Sequence, residues 1–386
     1  VILIAAGLIF SWKTRCVQLR LLPESIRVVM EKPTEAGKVS SFQALMVSTA
    51  SRVGTGNIIG VSTAICLGGP GAVFWMWLLA IIGGATAFIE STLAQIYKRR
   101  NPLGHSYGGP AYYIETAMHK RWLGVLFAFS LILTYAGGFN LLCSFNMQST
   151  FLVYSFYDPT TTPWIIGAVF AALVAYCLVG GGQRIIKVTS ILVPVMGGIY
   201  ILAALIVIVF HITSLPQVFA MIFADAFDFQ SILGGVSGSC MIYGIKRGLY
   251  SNEAGIGSAP NAAAAADVSH PVKQGLVQML SVFIDTLLVC SATAFMGLFS
   301  GVPITKEVAG AAYVQNAATA VFGGFGPLLI TVCMLLFGFS TLIGNLFYVD
   351  NCIRFIHKGA PSHGFVNIFR IVAILVVFVG AGMSMA

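Results

Sequence analysis

Ten apolar runs, cut apart by polar stretches in which basic residues come and go, constrain what this chain can fold into. The runs cover roughly residues 1–12, 41–67, 71–97, 122–155, 163–180, 186–212, 230–250, 272–300, 326–356 and 365–386. A helix needs roughly 20 apolar residues to cross a hydrocarbon layer, and most of the runs supply them. They are rich in Leu, Ile, Val, Phe and Ala and lack the polar/apolar alternation of barrel strands. Backbone groups in lipid must bond within their own segment, so the runs are read as helices. Composition points the same way: of 386 residues 58% are hydrophobic and 9% charged, where soluble domains carry about 25% charged residues. So apolar a chain could not cover a water-facing surface, and a lipid bilayer must be the solvent for much of it.

The connections alternate in charge. The first carries Lys13, Arg15, Arg20, Arg27, Lys32 and Lys38, and the third Lys98, Arg99, Arg100, Lys120 and Arg121. The fifth holds Arg184 and Lys187, the seventh Lys246, Arg247 and Lys273, and the ninth Arg354, Lys358 and Arg370. The even connections have no Lys or Arg except Lys306 in the eighth. The positive-inside rule places the odd connections in the cytoplasm, so both ends of the chain are expected outside. The net charge of +8 is therefore a topology signal and not a nucleic-acid footprint. Val1–Trp12 is too short to span alone and is read as the end of a truncated helix; the abrupt stop at Ala386 is read as a second truncation. The eight cysteines form no C-x-x-C pair, which argues against a zinc site or a disulfide framework. No H-E-x-x-H occurs.

Two spans are poor helices at their centres. The second contains Ser51-Arg52-Val53-Gly54-Thr55-Gly56-Asn57, and the seventh contains Gly234-Gly235-Val236-Ser237-Gly238-Ser239. Each mid-helix glycine costs about 1 kcal/mol against alanine. Glycine-interrupted spans in corresponding places of two halves point to a transporter site, and each interruption would open a five-helix repeat. Residues 1–40 are then the end of an extra first helix with a basic cytoplasmic loop, 41–212 the first repeat and 213–386 the second, its last helix missing. Unwinding frees N–H groups that can hold a carboxylate and carbonyls that can coordinate a sodium ion, which suits a zwitterionic amino acid carried with Na⁺. The plainer reading is helix packing, since Gly56-x-x-x-Gly60 and Gly234-x-x-x-Gly238 fit the small-xxx-small pattern. Gly-Thr-Gly is not a dinucleotide loop, because no strand precedes it.

Other polar groups lie inside spans. Asp285 sits deep in the eighth, where a carboxylate is costly and functional by default; it either binds a cation or amine, or partners Arg52 or a neighbouring hydroxyl. Glu90, nearer the cytoplasmic end, reads as half of a structural ion pair, and Asp350 as solvated. Ser340 and Thr341 in the ninth span offer hard oxygens suited to Na⁺, although hydroxyls also bond their own helix. The run Gly248–Ser258 is read as a polar exit from the seventh span that caps two helices or forms part of an inner gate.

Several blocks are recognisable. Ser51-Arg52-Val53-Gly54-Thr55-Gly56-Asn57-Ile58 followed by Leu67-Gly68-Gly69-Pro70-Gly71-Ala72-Val73-Phe74-Trp75-Met76-Trp77 resembles the signature of the alanine/glycine:cation symporter family. Ser251-Asn252-Glu253-Ala254-Gly255 through Pro260-Asn261-Ala262-Ala263-Ala264-Ala265-Ala266 is similar to a second family block, and Gly108–Tyr113 and Phe283–Leu287 resemble two more. The resemblance runs over nearly the whole chain. It implies an all-α membrane protein of LeuT-type fold, with inverted five-helix repeats, discontinuous helices and an extra first helix. It implies Na⁺- or H⁺-driven uptake of alanine or glycine across the plasma membrane of a prokaryote. Carried over, Thr55 and Gly56 meet the substrate carboxylate through backbone N–H groups. Ala50, Val53, Ser340 and Thr341 hold the sodium ion. Asn57 and Asp285 occupy places where related folds put a second cation or the substrate amine. One departure touches specificity: the family usually has Gln-x-Asn in the fourth span, where a gapless match puts Cys143 and Phe145, and Gln148 lies about 140° around the helix from Cys143. Asn345 stands where some members have Trp and is expected to tune the pocket. Limited room near Gly54 and Gly235 would select small amino acids.

Two other classes compete. A gated channel or receptor would also use broken helices, but could not concentrate an uncharged solute. A membrane enzyme needs a metal cluster or triad, and the sequence offers neither.

Overall fold

The computed structural model describes residues 1–33, 35, 37–101, 104–228, 239–359 and 361–383. After the short helix α1 (Ile2–Lys13), an amphipathic helix α2 (Leu22–Val29) runs to the second apolar run, which forms two pieces, α3 (Ser41–Arg52) and α4 (Thr55–Gly68). Next come α5 (Ala72–Ile96), a two-residue hairpin of β1 (Arg99–Arg100) and β2 (Ser106–Tyr107), and α6 (Pro110–Met118). The chain continues through α7 (Arg121–Val153), α8 (Thr162–Val179) and α9 (Gly181–Phe210), then α10 (Leu215–Ala226), α11 (Cys240–Asn252) and α12 (Ala259–Ala265). It closes with α13 (Pro271–Phe299), α14 (Ala311–Phe322), α15 (Phe325–Ile356) and α16 (His363–Gly382). Among the described residues, seven of these helices are apolar and long enough to cross a membrane: α5, α7, α8, α9, α13, α15 and α16. With α1, the broken span α3/α4 and α11, they fall in the ten apolar runs; α12 lies beyond the seventh run, which ends at 250.

Burial separates centre from periphery. The most apolar stretch of α13 is 78% buried and that of α15 61%, against 22% in α16. Large apolar side chains on α9 (Ile191, Val195, Leu202, Leu205, Val209) and on α16 (Ile368, Ile371, Val372, Leu375) point outward. In water such faces would be costly; they are the lipid-contacting belt.

The charge alternation has a structural counterpart. At one end Lys273 Nζ reaches Glu31 at 2.6 Å, the Asp267 amide donates to the Val39 carbonyl at 2.8 Å, and Lys38 Nζ donates to the Gly104 carbonyl at 2.9 Å. Arg121 Nη2 donates to the Phe355 carbonyl there at 2.9 Å. Gly182 and Gln183 line a cleft at that end with Asn101, His105 and Arg354. The five odd connections are thus gathered into one basic end. At the opposite end the Gly71 amide donates to Asp225 at 2.6 Å, Ser62 Oγ to the Gly310 carbonyl at 2.7 Å, and Gln315 Nε2 to the Thr150 carbonyl at 2.9 Å.

The second span breaks where its sequence predicts. A capping box between Ser40 and Gln43 starts α3 at the basic end. The helix stops at Arg52; Val53 and an extended Gly54 (φ −127°, ψ −168°) interrupt it before α4 continues to the far end. The seventh span is broken too. Its described break lies at 253–258, between α11 and α12, in the run expected to be an exit loop. Glu253 (φ 52°), Gly255 (φ 86°) and Gly257 (φ 83°) take left-handed conformations there, which end a helix at little cost for glycine. Cys240 Sγ donates to the Asp225 carbonyl at 3.3 Å, and Lys98 Nζ to the Ala266 carbonyl at 2.9 Å. So α11 begins at the non-basic end and α12 finishes at the basic end, antiparallel to α3/α4. This corrects the loop reading of Lys246 and Arg247: both stand on α11, inside the span, and Arg247 is buried. Gly235, like the rest of Gly234–Gly238, lies outside the described residues.

Candidate substrate and ion site

The break between α3 and α4 opens onto a cavity of about 180 Å³. Gly54, Thr55, Gly56, Asn57, Cys143, Thr341 and Asn345, all singled out from sequence, line it. The same wall includes Arg52, Phe139, Asn146, Arg247, Tyr250, Ser251 and Glu253. Four elements meet here: both broken spans, α7 and α15.

On one side lie the freed oxygens of α3. The last carbonyls of a helix have no intrahelical partner. The Ala50 carbonyl accepts from Thr341 Oγ1 at 3.2 Å and from Ser340 Oγ at 3.4 Å, and the Ser51 carbonyl from Thr341 Oγ1 at 3.5 Å. Ser340 also donates to the Phe337 carbonyl of its own helix at 2.9 Å. This closeness needs glycine: a Cβ on Gly344 would lie 2.8 Å from the Ser51 nitrogen, and one on Gly54 would collide with Thr341 Oγ1. Val53, the C-cap of α3, is buried beside them. Neutral carbonyl and hydroxyl oxygens at this spacing are the donor type that a hard monovalent cation takes, so the residues fit Na⁺.

On the other side lies the start of α4. The Gly54 amide is taken by Asn57 Oδ1 at 3.0 Å, and the Asn57 amide by the Gly54 carbonyl at 3.0 Å. Thr55 and Gly56 occupy the first two positions of the helix, and among the described residues no acceptor meets their amides. Asp285 does not line the cavity. It stands behind Asn57, accepting from Asn57 Nδ2 at 2.7 Å, from Ser251 Oγ at 2.7 Å and from Thr286 Oγ1 at 2.8 Å. Of its two expected kinds of structural partner, the hydroxyls are present. Arg52 turns elsewhere, with Nη1 donating to the Gln278 carbonyl at 3.3 Å. Glu90 forms no ion pair among the described residues; it accepts the Gly255 amide at 3.3 Å, a donor that the second helix break leaves free. Asp350 pairs with Arg354 at 2.8 Å near the basic surface.

Cys143 faces the cavity, with Sγ donating to the Gly338 carbonyl at 3.4 Å. Gln148 points away and accepts from Tyr157. The amide that reaches the site from α7 is Asn146, donating to Thr55 Oγ1 at 3.1 Å. A signal for it existed: Phe139, Leu142, Cys143 and Asn146 are spaced three and four apart, one helical face. Asn345 is fixed at both ends, accepting from Ser51 Oγ at 2.6 Å and donating to Asn140 at 2.9 Å. Both α7 and α13 are π-helical beside the site, over Leu133–Phe139 and Ile284–Cys290. Such wide turns recur at functional sites, and nothing in the composition announces them.

The family model described as the sodium:alanine symporter family matches residues 1–386. The amino-acid carrier protein AlsT of Bacillus subtilis is 45% identical over 381 residues, covering 98% of this chain and 80% of that protein. The probable sodium/glutamine symporter GlnT of the same organism is 43% identical, covering 98% of this chain and 78% of its own length. The sodium/alanine symporter AgcS of Methanococcus maripaludis is 35% identical over 402 residues, covering 100% of this chain and 85% of the relative. Among solved structures, a Na⁺-coupled sialic acid symporter in a substrate-bound outward-open state superposes with a TM-score of 0.60 at 13% identity, over 95% of this chain and 80% of that one. That likeness shows the fold: an all-α, multi-pass membrane architecture of LeuT type.

Proposed function

We propose, from the premise that this chain belongs to the sodium:alanine symporter family, that it is a secondary active symporter coupling Na⁺ influx to uptake of a small neutral amino acid, alanine or glycine. The observation that carries this reading is the α3/α4 break: Ser51, Thr341, Thr55 and Gly56 line one cavity, the Ala50 carbonyl and the Ser340 hydroxyl are bonded together behind it, and among the described residues the first amides of α4 have no acceptor. Na⁺ is the co-substrate, held by Ala50, Val53, Ser340 and Thr341. Its binding orders the end of α3 and so the start of α4, where the Thr55 and Gly56 amides take the substrate carboxylate. Gly54, Cys143 and Asn345 shape the pocket around a small side chain. Asn57, held from behind by Asp285, stabilises the break and faces the cavity where a second cation or the substrate amine would sit. Transport follows as one helix bundle rocks against the other around this site. The basic end faces the cytoplasm of a prokaryotic cell, by the positive-inside rule.

The test is labelled alanine uptake into proteoliposomes with an inward Na⁺ gradient, or with K⁺ in its place, against glycine and glutamine as competitors. Glutamine is included because one relative is named for it. Accumulation that needs Na⁺ supports the proposal. Accumulation driven equally by an inward proton gradient without Na⁺ would replace the coupling ion, and downhill equilibration alone would make the protein an uncoupled channel or uniporter.

A further inference from the structure

Arg247 is a buried cation at the cavity wall that the function above leaves unused. It is 8% exposed, on α11. Its Nε is buried without a partner, and among the described residues its guanidinium makes no hydrogen bond and no ion pair. The nearby carboxylate of Asp285 is already met by Asn57, Ser251 and Thr286. What holds the guanidinium is shape. A Cβ on Gly56 would stand 2.8 Å from Nη2 and 3.0 Å from Nη1, and one on Gly60 would stand 2.7 Å from Cζ. The Gly56-x-x-x-Gly60 pattern, read from sequence as a helix-packing face, is therefore a slot for this side chain. Its other side is the Tyr250 ring, 5.1 Å from Cζ to the centroid.

A buried guanidinium without a bonded acceptor is costly, and in folded proteins such a charge is normally paired and hydrogen-bonded. Asp285 acts on Arg247 only through space, so among the described residues the guanidinium is left able to take an acceptor from outside. Beside the slot are the Thr55 and Gly56 amides, also without acceptors, at the N-terminus of a 14-residue helix where the peptide dipoles favour negative charge. Guanidinium and amides face one cavity from two different broken spans.

We propose that Arg247 is the charged half of the carboxylate site: a bound substrate carboxylate takes the α4 amides and the Arg247 guanidinium together. This deepens the amino-acid reading above and rests on it. The same side chain lines a second cleft toward the non-basic end, with Gly60, Thr63, Tyr243 and Tyr250. Arg247 thus also stands between the site and that exit, so that the carboxylate holds its own barrier in place. A ligand without a free carboxylate supplies neither contact.

The experiment is equilibrium binding of labelled alanine, glycine and glutamine to the purified full chain in nanodiscs at saturating Na⁺, with alaninamide as competitor. Wild type, Arg247→Gln, Arg247→Lys and Gly60→Ala are compared, and the Na⁺-induced rise in melting temperature reports an intact fold and ion site. A charge-assisted contact predicts a loss of about tenfold to 100-fold in amino-acid affinity for Arg247→Gln. The Na⁺ response should remain, Arg247→Lys should recover part of the loss, and alaninamide should not compete. Gly60→Ala keeps the charge but displaces it, and should weaken binding about tenfold even if Arg247→Gln does not fold. Wild-type affinity in Arg247→Gln, or in Gly60→Ala where the first is unfolded, overturns the role of Arg247 alone. Wild-type protein that binds no amino acid in the panel overturns the amino-acid reading and this inference with it.

Discussion

Asn57 Nδ2 donates to Asp285 Oδ1 at 2.7 Å, across 228 residues of sequence. The same Asn57 accepts the Gly54 amide through Oδ1. One side chain thus ties the break in the second span to the π-helical turn of α13. Asn57→Ala removes one donor from a buried carboxylate and strands a backbone amide, a loss of about 1–3 kcal/mol. The variant should melt earlier in detergent and fail to accumulate substrate even at high Na⁺. Wild-type melting and uptake would mean that the bond is incidental to both.

Thr341→Val keeps the shape of the side chain and removes the hydroxyl that meets the Ala50 and Ser51 carbonyls. Uptake measured against Na⁺ concentration should shift to at least about tenfold higher Na⁺, the worth of one good polar contact. Ser340→Ala should act the same way. An unchanged Na⁺ curve for both variants would remove these hydroxyls from the ion site.

Outside the membrane, Glu115 on α6 accepts from Arg121 at 2.7 Å and from Arg99 at 2.8 Å. Burial alone would raise its carboxyl pKa, but the two arginines outweigh that and hold it below the ordinary value of 4.5. A depressed folded pKa gives stability that is complete above the unfolded value and is lost as pH falls through the folded one. Glu115→Gln should therefore lower stability at neutral pH by about 0.5–1 kcal/mol, the size expected of a partly exposed ion pair. The difference from wild type should vanish on acidification below the carboxylate range. A deficit that persists at acid pH would assign the effect to packing.

Orientation is open to direct measurement. Lys358 lies at the basic end and Thr305 beside the opposite one. In a background without Cys16, the exposed native cysteine, Thr305→Cys should react with an impermeant maleimide in whole cells. Lys358→Cys should react only in inverted vesicles. The reverse pattern would invert the topology.

The spans were legible because hydrocarbon imposes a length and a composition that water does not, and the first break because two glycines and an arginine cannot be a comfortable helix centre. The break in the seventh span was harder. Glycine and polar residues from Gly248 to Ser258 look the same whether they form a surface loop or an interruption at membrane depth. In sequence Arg247 looks like a loop cation beside Lys246, because its burial comes from a slot on α4 that no local window contains. Asn146 was within reach of helical periodicity from Cys143. The π-helical turns were not, since a residue added to one turn changes geometry without changing composition.

The fastenings of the basic end have a consequence for biosynthesis. Glu31 waits for Lys273, Tyr112 for Asn351 and Arg121 for Phe355, each more than two hundred residues downstream. The first half of the protein therefore leaves the ribosome and enters the bilayer with these groups, and the Asn57 Nδ2 that later meets Asp285, still lacking their distant partners. Closure of so many distant contacts belongs to the last stage of assembly, when α13 and α15 arrive.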